Sequence, residues 1–236
     1  ESVSLYFEEE PIFSCLTAAA CATEETESVS GDSYSFLETD DSVAMILSDG
    51  VGSGESAARD SGRIVDLTER ILDAGLGPDM AMLFLNGMAG AEGDENRMAT
   101  LDLCRIDLYR GECETVKAGG AAGFIKRSDR VEKIQSRQLP LGMSASEDIS
   151  EKKWQLNSGD LVILVSDGVV QNWPCGDGEY LLEQKIASLN VNSPVDLANL
   201  ILRYAIRQCG GKIRDDMTVL VTGIWKNEER EIEDIE

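Results

Sequence analysis

An internal echo constrains this chain more than any other feature. Val43-Ala44-Met45-Ile46-Leu47 and Leu161-Val162-Ile163-Leu164-Val165 are unbroken apolar runs, and each is followed at once by Ser-Asp-Gly. Runs of this length, rich in aliphatic side chains, fit strands buried on both faces. One Ser-Asp-Gly reads as a turn, because Asp and Gly suit turn backbone angles. Two of them, each closing a buried strand, carry Asp49 and Asp167 to strand ends, where sites are built.

The surrounding pattern supplies the other layers. Residues 33–37 and 42–47 read as a hairpin around the polar turn Glu38-Thr39-Asp40-Asp41, with Asp32 opposite Leu47 and close to Asp49. A Gly-rich turn follows, and then a helix over 56–74, whose apolar residues recur in pairs on one face until Gly75 and Gly77 end it. Pro78-Asp79 opens a second helix to about Ala89. Residues 100–135 read as an antiparallel meander, with strands at 100–109, 112–118, 123–126 and 131–134. Further helices are expected over 180–189 and from Ser193-Pro194 to Gly210-Gly211, before a last strand at 217–225. Helices in sequential pairs between antiparallel strands describe an α+β fold with sheets inside and helices outside. A single domain over residues 1–236 is expected, with 1–10 and 226–236 as acidic tails. The first residues, Glu1-Ser2-Val3-Ser4-Leu5, do not read as a signal peptide, and because the chain does not begin with Met it is read as a piece of a longer protein.

Composition removes several function classes. With 44 acidic and 21 basic residues the formal charge is -23, which repels a phosphate backbone and argues against nucleic acid. No apolar run reaches the roughly 18 residues needed to span a bilayer, so the chain itself is expected to make no membrane contact. Cys15, Cys21, Cys104, Cys113, Cys175 and Cys209 form no C-x-x-C pair, and several lie in apolar runs, as reduced thiols in a cytoplasm would. There is no histidine, which removes the usual Ser-His-Asp and Cys-His chemistry and makes a zinc site unlike this chain.

What remains is carboxylate chemistry. The hairpin brings Asp32 near Asp49. If the strand ending at Asp167 is the antiparallel neighbour of the strand that begins after Asp215-Asp216, then Asp167 and Asp215 share a rim. Whether the two pairs converge depends on topology. Oxygen ligands without imidazole or thiolate suit Mg²⁺ or Mn²⁺. Without a cation, such carboxylates would repel and raise one another's pKa.

These residues resemble the PPM family, the protein phosphatase 2C type, and within it the bacterial sporulation branch. The resemblance runs from about Val29 to Ile224. It rests on the order and spacing of Val29-Ser30-Gly31-Asp32-Ser33-Tyr34-Ser35, Ser48-Asp49-Gly50-Val51-Gly52-Ser53-Gly54, Thr100-Leu101-Asp102-Leu103, Phe124-Ile125-Lys126-Arg127, Leu139-Pro140-Leu141-Gly142, Gly159-Asp160-Leu161, Ser166-Asp167-Gly168 and Asp215-Asp216-Met217-Thr218-Val219. It implies a four-layer α-β-β-α sandwich of two antiparallel sheets, with two divalent cations, Mn²⁺ or Mg²⁺, at one edge. Asp49 would bridge them and activate a water, with the Gly50 carbonyl on one cation. Asp167 and Asp215 would hold the other, and Asp32 would ligate directly or through water. Asp216 stands where many relatives carry Asn, so the resemblance gives it either a supporting place behind the ligands or no certain role. Two departures alter the chemistry without removing it. Val51 stands where animal relatives carry His, and no Arg precedes Arg59 to bind phosphate.

The implied function is a metal-dependent protein serine/threonine phosphatase acting on a phosphorylated anti-anti-sigma protein in sporulation control. It would work in the cytoplasm, in a longer protein anchored to the membrane through a separate N-terminal region. The alternative is a phosphoprotein-binding module that keeps the fold without turnover. A merely structural acidic domain explains the charge but not the ordered motifs.

Overall fold

The computed structural model describes residues 10–92, 99–136, 138–143, 151–174 and 176–227. The tails expected at 1–10 and 226–236 lie almost wholly outside the described residues. Among those described, the chain forms ten strands and four α-helices: β1 (Phe13–Ala22), β2 (Asp32–Glu38), β3 (Ser42–Asp49), α1 (Gly54–Asp73), α2 (Pro78–Glu92), β4 (Leu101–Asp107), β5 (Glu112–Ala118), β6 (Gly123–Lys126), β7 (Val131–Ile134), β8 (Lys152–Gln155), β9 (Leu161–Val165), α3 (Gly178–Ser188), α4 (Pro194–Gln208) and β10 (Met217–Lys226). No helix among the described residues is long and apolar enough to cross a membrane.

Two five-stranded antiparallel sheets stack face to face: a front sheet ordered β2-β3-β4-β5-β8 and a back sheet ordered β1-β10-β9-β6-β7. The unbroken apolar runs are explained by burial on both faces. On β3, Met45 and Leu47 point between the sheets, against Val162, Leu164 and Leu220. Their neighbours Ala44 and Ile46 point outward, under Val65 of α1 and Ala81, Met82 and Leu85 of α2. On β9, Ile163 and Val165 face α3 and α4, where Leu182, Ile186, Leu197 and Ile201 cover them. The layers are therefore helices, sheet, sheet, helices, an α+β sandwich as expected.

Four sequence-based expectations change. The first is the hairpin register: Asp32 lies opposite Asp49, not Leu47. Thr39 N–H donates to the Ser42 carbonyl (2.9 Å), and the Thr39 hydroxyl bonds Asp41 and Ser42. This tightens the turn onto Asp40-Asp41 and moves the pairing two residues along. The second is the meander, which breaks after β5. Gly119 and Gly120, both with φ of +70°, turn the chain out of the front sheet, and β6 and β7 join the back sheet. The third is β1, which carries Ala-Ala-Ala-Cys-Ala and lacks any alternation to mark a strand. Ten residues of pairing with β10 hold it. The fourth is β8, a polar edge strand on β5.

Two of the quoted motifs serve architecture. Arg127 is buried and donates to Asp160 Oδ2 (2.5 Å), Glu132 Oε1 (2.9 Å) and the Gln155 carbonyl (3.1 Å). One guanidinium thus ties β6 and the β9 entry in the back sheet to β8 in the front sheet.

Candidate metal centre

The first Ser-Asp-Gly ends β3 at the front sheet's rim. Ser48 Oγ donates to the Thr100 carbonyl (2.7 Å), Asp49 N–H donates to Thr100 Oγ1 (3.0 Å), and Thr100 N–H returns to the Asp49 carbonyl (2.9 Å). These bonds fix the backbone that bears Asp49, directly across from Asp32. The second Ser-Asp-Gly ends β9 and repeats the device in the back sheet. Ser166 N–H donates to the Thr218 carbonyl (2.9 Å), Thr218 N–H donates to Ser166 Oγ (2.9 Å), and Ser166 Oγ donates to the Asp216 carbonyl (3.3 Å). Since β9 and β10 are antiparallel neighbours, Asp167 and Asp215 leave the back sheet at the same rim.

The two glycines serve close approach instead of turn angles. Neither Gly50 nor Gly168 has a positive φ. A Cβ on Gly50 would stand 2.2 Å from the Ala57 carbonyl oxygen, and one on Gly168 would stand 2.1 Å from the Asp216 carbonyl oxygen. Gly50→Ala is therefore expected to destabilise the fold by about 1–3 kcal/mol, as overpacking against backbone does. Urea unfolding of the variant checks this; an unchanged midpoint would contradict the packing described.

The four carboxylates form one electrically coupled group spanning both sheets. Burial pushes Asp32 up to about 7; the hydroxyls of Thr218 and Ser166 draw it back, and the charges of Asp216 and Asp167 push it further. Burial raises Asp49 to about 8, with Asp32, Asp167 and Asp215 adding repulsion. Asp215 is also raised, by burial first and then by Asp167. Asp32 Oδ2 is buried without a hydrogen-bond partner. Among the described residues no three acidic or thiol groups form a closed cation cage. The donor set still fits hard cations: carboxylate oxygens only, crowded enough to hold protons, with one buried oxygen unsatisfied.

A pH effect follows. With folded pKa values above the ordinary 3.8, the folded chain keeps protons that the unfolded chain has released. The stability this contributes is full below the ordinary value and is lost as pH rises through 7 and 8. The metal-free domain is expected to lose thermal stability between about pH 5 and pH 8, and millimolar Mg²⁺ at pH 8 to restore it. Calorimetry with EDTA and with Mg²⁺ checks both; a metal-free midpoint that rises over this range would contradict it.

Of the neighbouring residues, Gln171 and Lys117 were not singled out in the sequence, while Asp102 and Asp216 lie in quoted motifs. Gln171 Nε2 donates to Asp167 Oδ2 (2.6 Å) from one turn further on. Asp102 and Lys117 make a buried ion pair beside Leu47 on the face between the sheets. Asp216 has both carboxylate oxygens bound by backbone N–H groups, those of Glu24 and Gly31. Thr100, Ser166 and Thr218 all lie inside the quoted motifs, and that was the available signal.

Comparison with known proteins identifies the family. The family model described as Stage II sporulation protein E matches residues 39–224. Stage II sporulation protein E of Bacillus subtilis (strain 168) is 36% identical over 213 residues, covering 89% of this chain and 26% of that protein. The chain thus spans about a quarter of that relative's length. The phosphoserine phosphatase RsbU of Bacillus subtilis (strain 168) is 23% identical over 200 residues, covering 82% of this chain and 59% of that protein. Among solved structures, the PP2C phosphatase domain of SpoIIE from Bacillus subtilis, with a fragment of its regulatory domain, superposes with a TM-score of 0.86 at 35% identity. That match covers 92% of this chain and 64% of that chain. Fold and sequence similarity together place the chain in the class of PP2C-type phosphatase domains. Within that class, the chain belongs to the stage II sporulation protein E family.

Proposed function

We propose that this domain hydrolyses phosphoserine or phosphothreonine on a protein, using two divalent cations, Mn²⁺ or Mg²⁺. Asp32, Asp49, the Gly50 carbonyl, Asp167 and Asp215 would hold them. The supporting observation is the convergence of Asp32 and Asp49 from the front sheet with Asp167 and Asp215 from the back sheet, each side fixed by its own Ser-Asp-Gly hydrogen bonds. When bound, such cations neutralise phosphate charge and lower the pKa of a water near neutrality. Burial and the charges of Asp32, Asp167 and Asp215 all raise Asp49, which ties it to both pairs. Its carboxylate orients what lies between the pairs. Gln171 holds Asp167 in place through its side-chain amide. No histidine exists to protonate a leaving serine or threonine oxygen, so that proton comes from solvent or from a carboxyl of the cluster.

The proposed partner is a phosphorylated anti-anti-sigma protein, met in the cytoplasm, as the family resemblance implies. The test is phosphate release from such a protein, phosphorylated on serine, with Mn²⁺, with Mg²⁺ and with EDTA. Metal-dependent turnover is expected. Saturable binding of the phosphoprotein without phosphate release under any metal would instead mark a recognition module and overturn the assignment.

A further inference from the structure

The loop between β1 and β2, residues 23–31, reaches three of the segments that carry the acidic rim. Glu25 N–H donates to the Ile213 carbonyl (3.2 Å), and Ile213 N–H donates back to Glu25 Oε1 (3.3 Å). Ser53 Oγ donates to Glu27 Oε1 (2.8 Å) at the start of α1. At the loop's base sits Asp216, 7% exposed, with Glu24 N–H on Oδ1 (2.9 Å) and Gly31 N–H on Oδ2 (2.6 Å). Gly31 immediately precedes Asp32, and its carbonyl accepts the Gly50 N–H (3.3 Å). A single back-sheet carboxylate therefore fixes the residue that sets Asp32 against Asp49 and Gly50.

We propose that Asp216 is a positioning residue of the metal centre: it clamps Gly31 and Glu24, and so sets where Asp32 stands, without itself being a ligand. The proposal rests on the reading that Asp32 and Asp49 hold a cation. In this chain the clamp uses both oxygens of the carboxylate. Both oxygens accept from backbone N–H groups, and such charge-assisted bonds are the strong ones. An Asn would turn an NH₂ toward one of those donors. Nor can the loop easily shift to compensate. A Cβ on Gly31 would meet Ala57 Cβ at 3.0 Å and Asp216 Oδ2 at 3.4 Å, so Gly31 is wedged between α1 and the clamp. Keeping a further negative charge in an already crowded acidic rim is unfavourable by itself. The two N–H groups offset that, and they make the charge useful only where it holds this loop.

The decisive variant is Asp216→Asn, with Asp49→Asn alongside. Mn²⁺ titrations of phosphate release from p-nitrophenyl phosphate give the half-saturating metal concentration and kcat; calorimetry gives Mn²⁺ binding directly. For Asp216→Asn the half-saturating Mn²⁺ should rise ~10–100-fold, the range for residues that orient metal ligands, with a smaller effect on kcat. A merely structural loop staple would lower the melting temperature and the active fraction without moving the Mn²⁺ midpoint, and that result overturns the proposal. Asp49→Asn separates the two levels. If it loses Mn²⁺ binding while Asp216→Asn keeps the wild-type midpoint, only the clamp is wrong. If Asp49→Asn binds Mn²⁺ like the wild type, the metal centre is wrong and the clamp falls with it. The wild-type domain supplies a readout that no folding failure can remove. Saturating Mg²⁺ should slow amide exchange of Gly31 at least ~10-fold, because fixing Asp32 stiffens the clamped loop. Gly31 exchange that ignores Mg²⁺ overturns the proposal.

Discussion

Asp49→Asn is expected to lower metal-dependent phosphate release by about 10³-fold or more while the fold survives. The loss follows from the position of Asp49. Its carboxyl is raised by burial and by the charges of Asp32, Asp167 and Asp215. An amide there removes the charge that holds the two halves of the site to a common cation. The fold should survive for the same electrostatic reason. Asp49 is a buried acid forced among like charges, so replacing it with a neutral isostere relieves repulsion in the metal-free chain. The metal-free variant should therefore melt at or above the wild-type temperature at pH 8, and Mg²⁺ should no longer raise it. Turnover within a few-fold of wild type, with unchanged circular dichroism, would refute the role given to Asp49. A strongly lowered metal-free melting temperature would refute the repulsion argument.

How much of this could be read from the chain depends on whether the signal was local. The strands at Glu112–Ala118, Gly123–Lys126, Val131–Ile134 and Leu161–Val165 fall where the sequence placed them, because turn residues bound each one. Ser193 caps α4 through Asp196 N–H, as its pairing with Pro194 suggested. Non-local choices were harder to see. Nothing in the β5–β6 stretch says which sheet the next hairpin joins; the only trace is Gly119-Gly120, whose left-handed backbone redirects the chain. β1 is invisible to alternation because its partner β10 supplies the reason to be extended. The places of Asp49 and Asp167 were legible because each follows an unbroken apolar run, and those of Asp32 and Asp215 because each lies at or just before the start of an expected strand. The partners of Asp216 were not legible, since they are backbone N–H groups of residues 192 and 185 positions away. Asp102 and Lys117 read as ordinary alternating polar residues until the register of β4 on β5 sets them face to face.

That pair carries the largest expected effect on stability. Lys117→Met should destabilise the domain by about 3–5 kcal/mol near pH 7.5, because it leaves Asp102 buried and unpaired. Lys117 and Asp102 are 4% and 3% exposed, and Nζ stands 2.5 Å from Oδ2. Burial lifts Asp102 to about 6; Lys117 pulls it down, and Asp167 pushes it up. Without the ammonium, nothing in that balance favours the charged form. The variant must then either bury a bare carboxylate or fold with Asp102 protonated. The folded pKa rises further above the unfolded one, so the stability that goes with the proton is present at low pH and lost as pH rises. The destabilisation should accordingly be smaller at pH 5 than at pH 7.5. The pair itself is imperfect: Asp102 Oδ1 and Lys117 Nζ make no well-aligned hydrogen bond. Its net contribution relative to an apolar pair of similar volume is therefore near zero, as for many buried ion pairs. Asp102→Leu combined with Lys117→Met should recover stability to within about 1–2 kcal/mol of wild type, or exceed it. The limit on that recovery is Gly120, whose φ of +70° and missing Cβ leave room for the carboxylate oxygens; a Cβ there would stand 3.1 Å from both. Urea unfolding of the two single variants and the double variant, at both pH values, decides the matter. A Lys117→Met chain within about 1 kcal/mol of wild type at pH 7.5 would mean that water or relaxation already solvates Asp102 between the sheets.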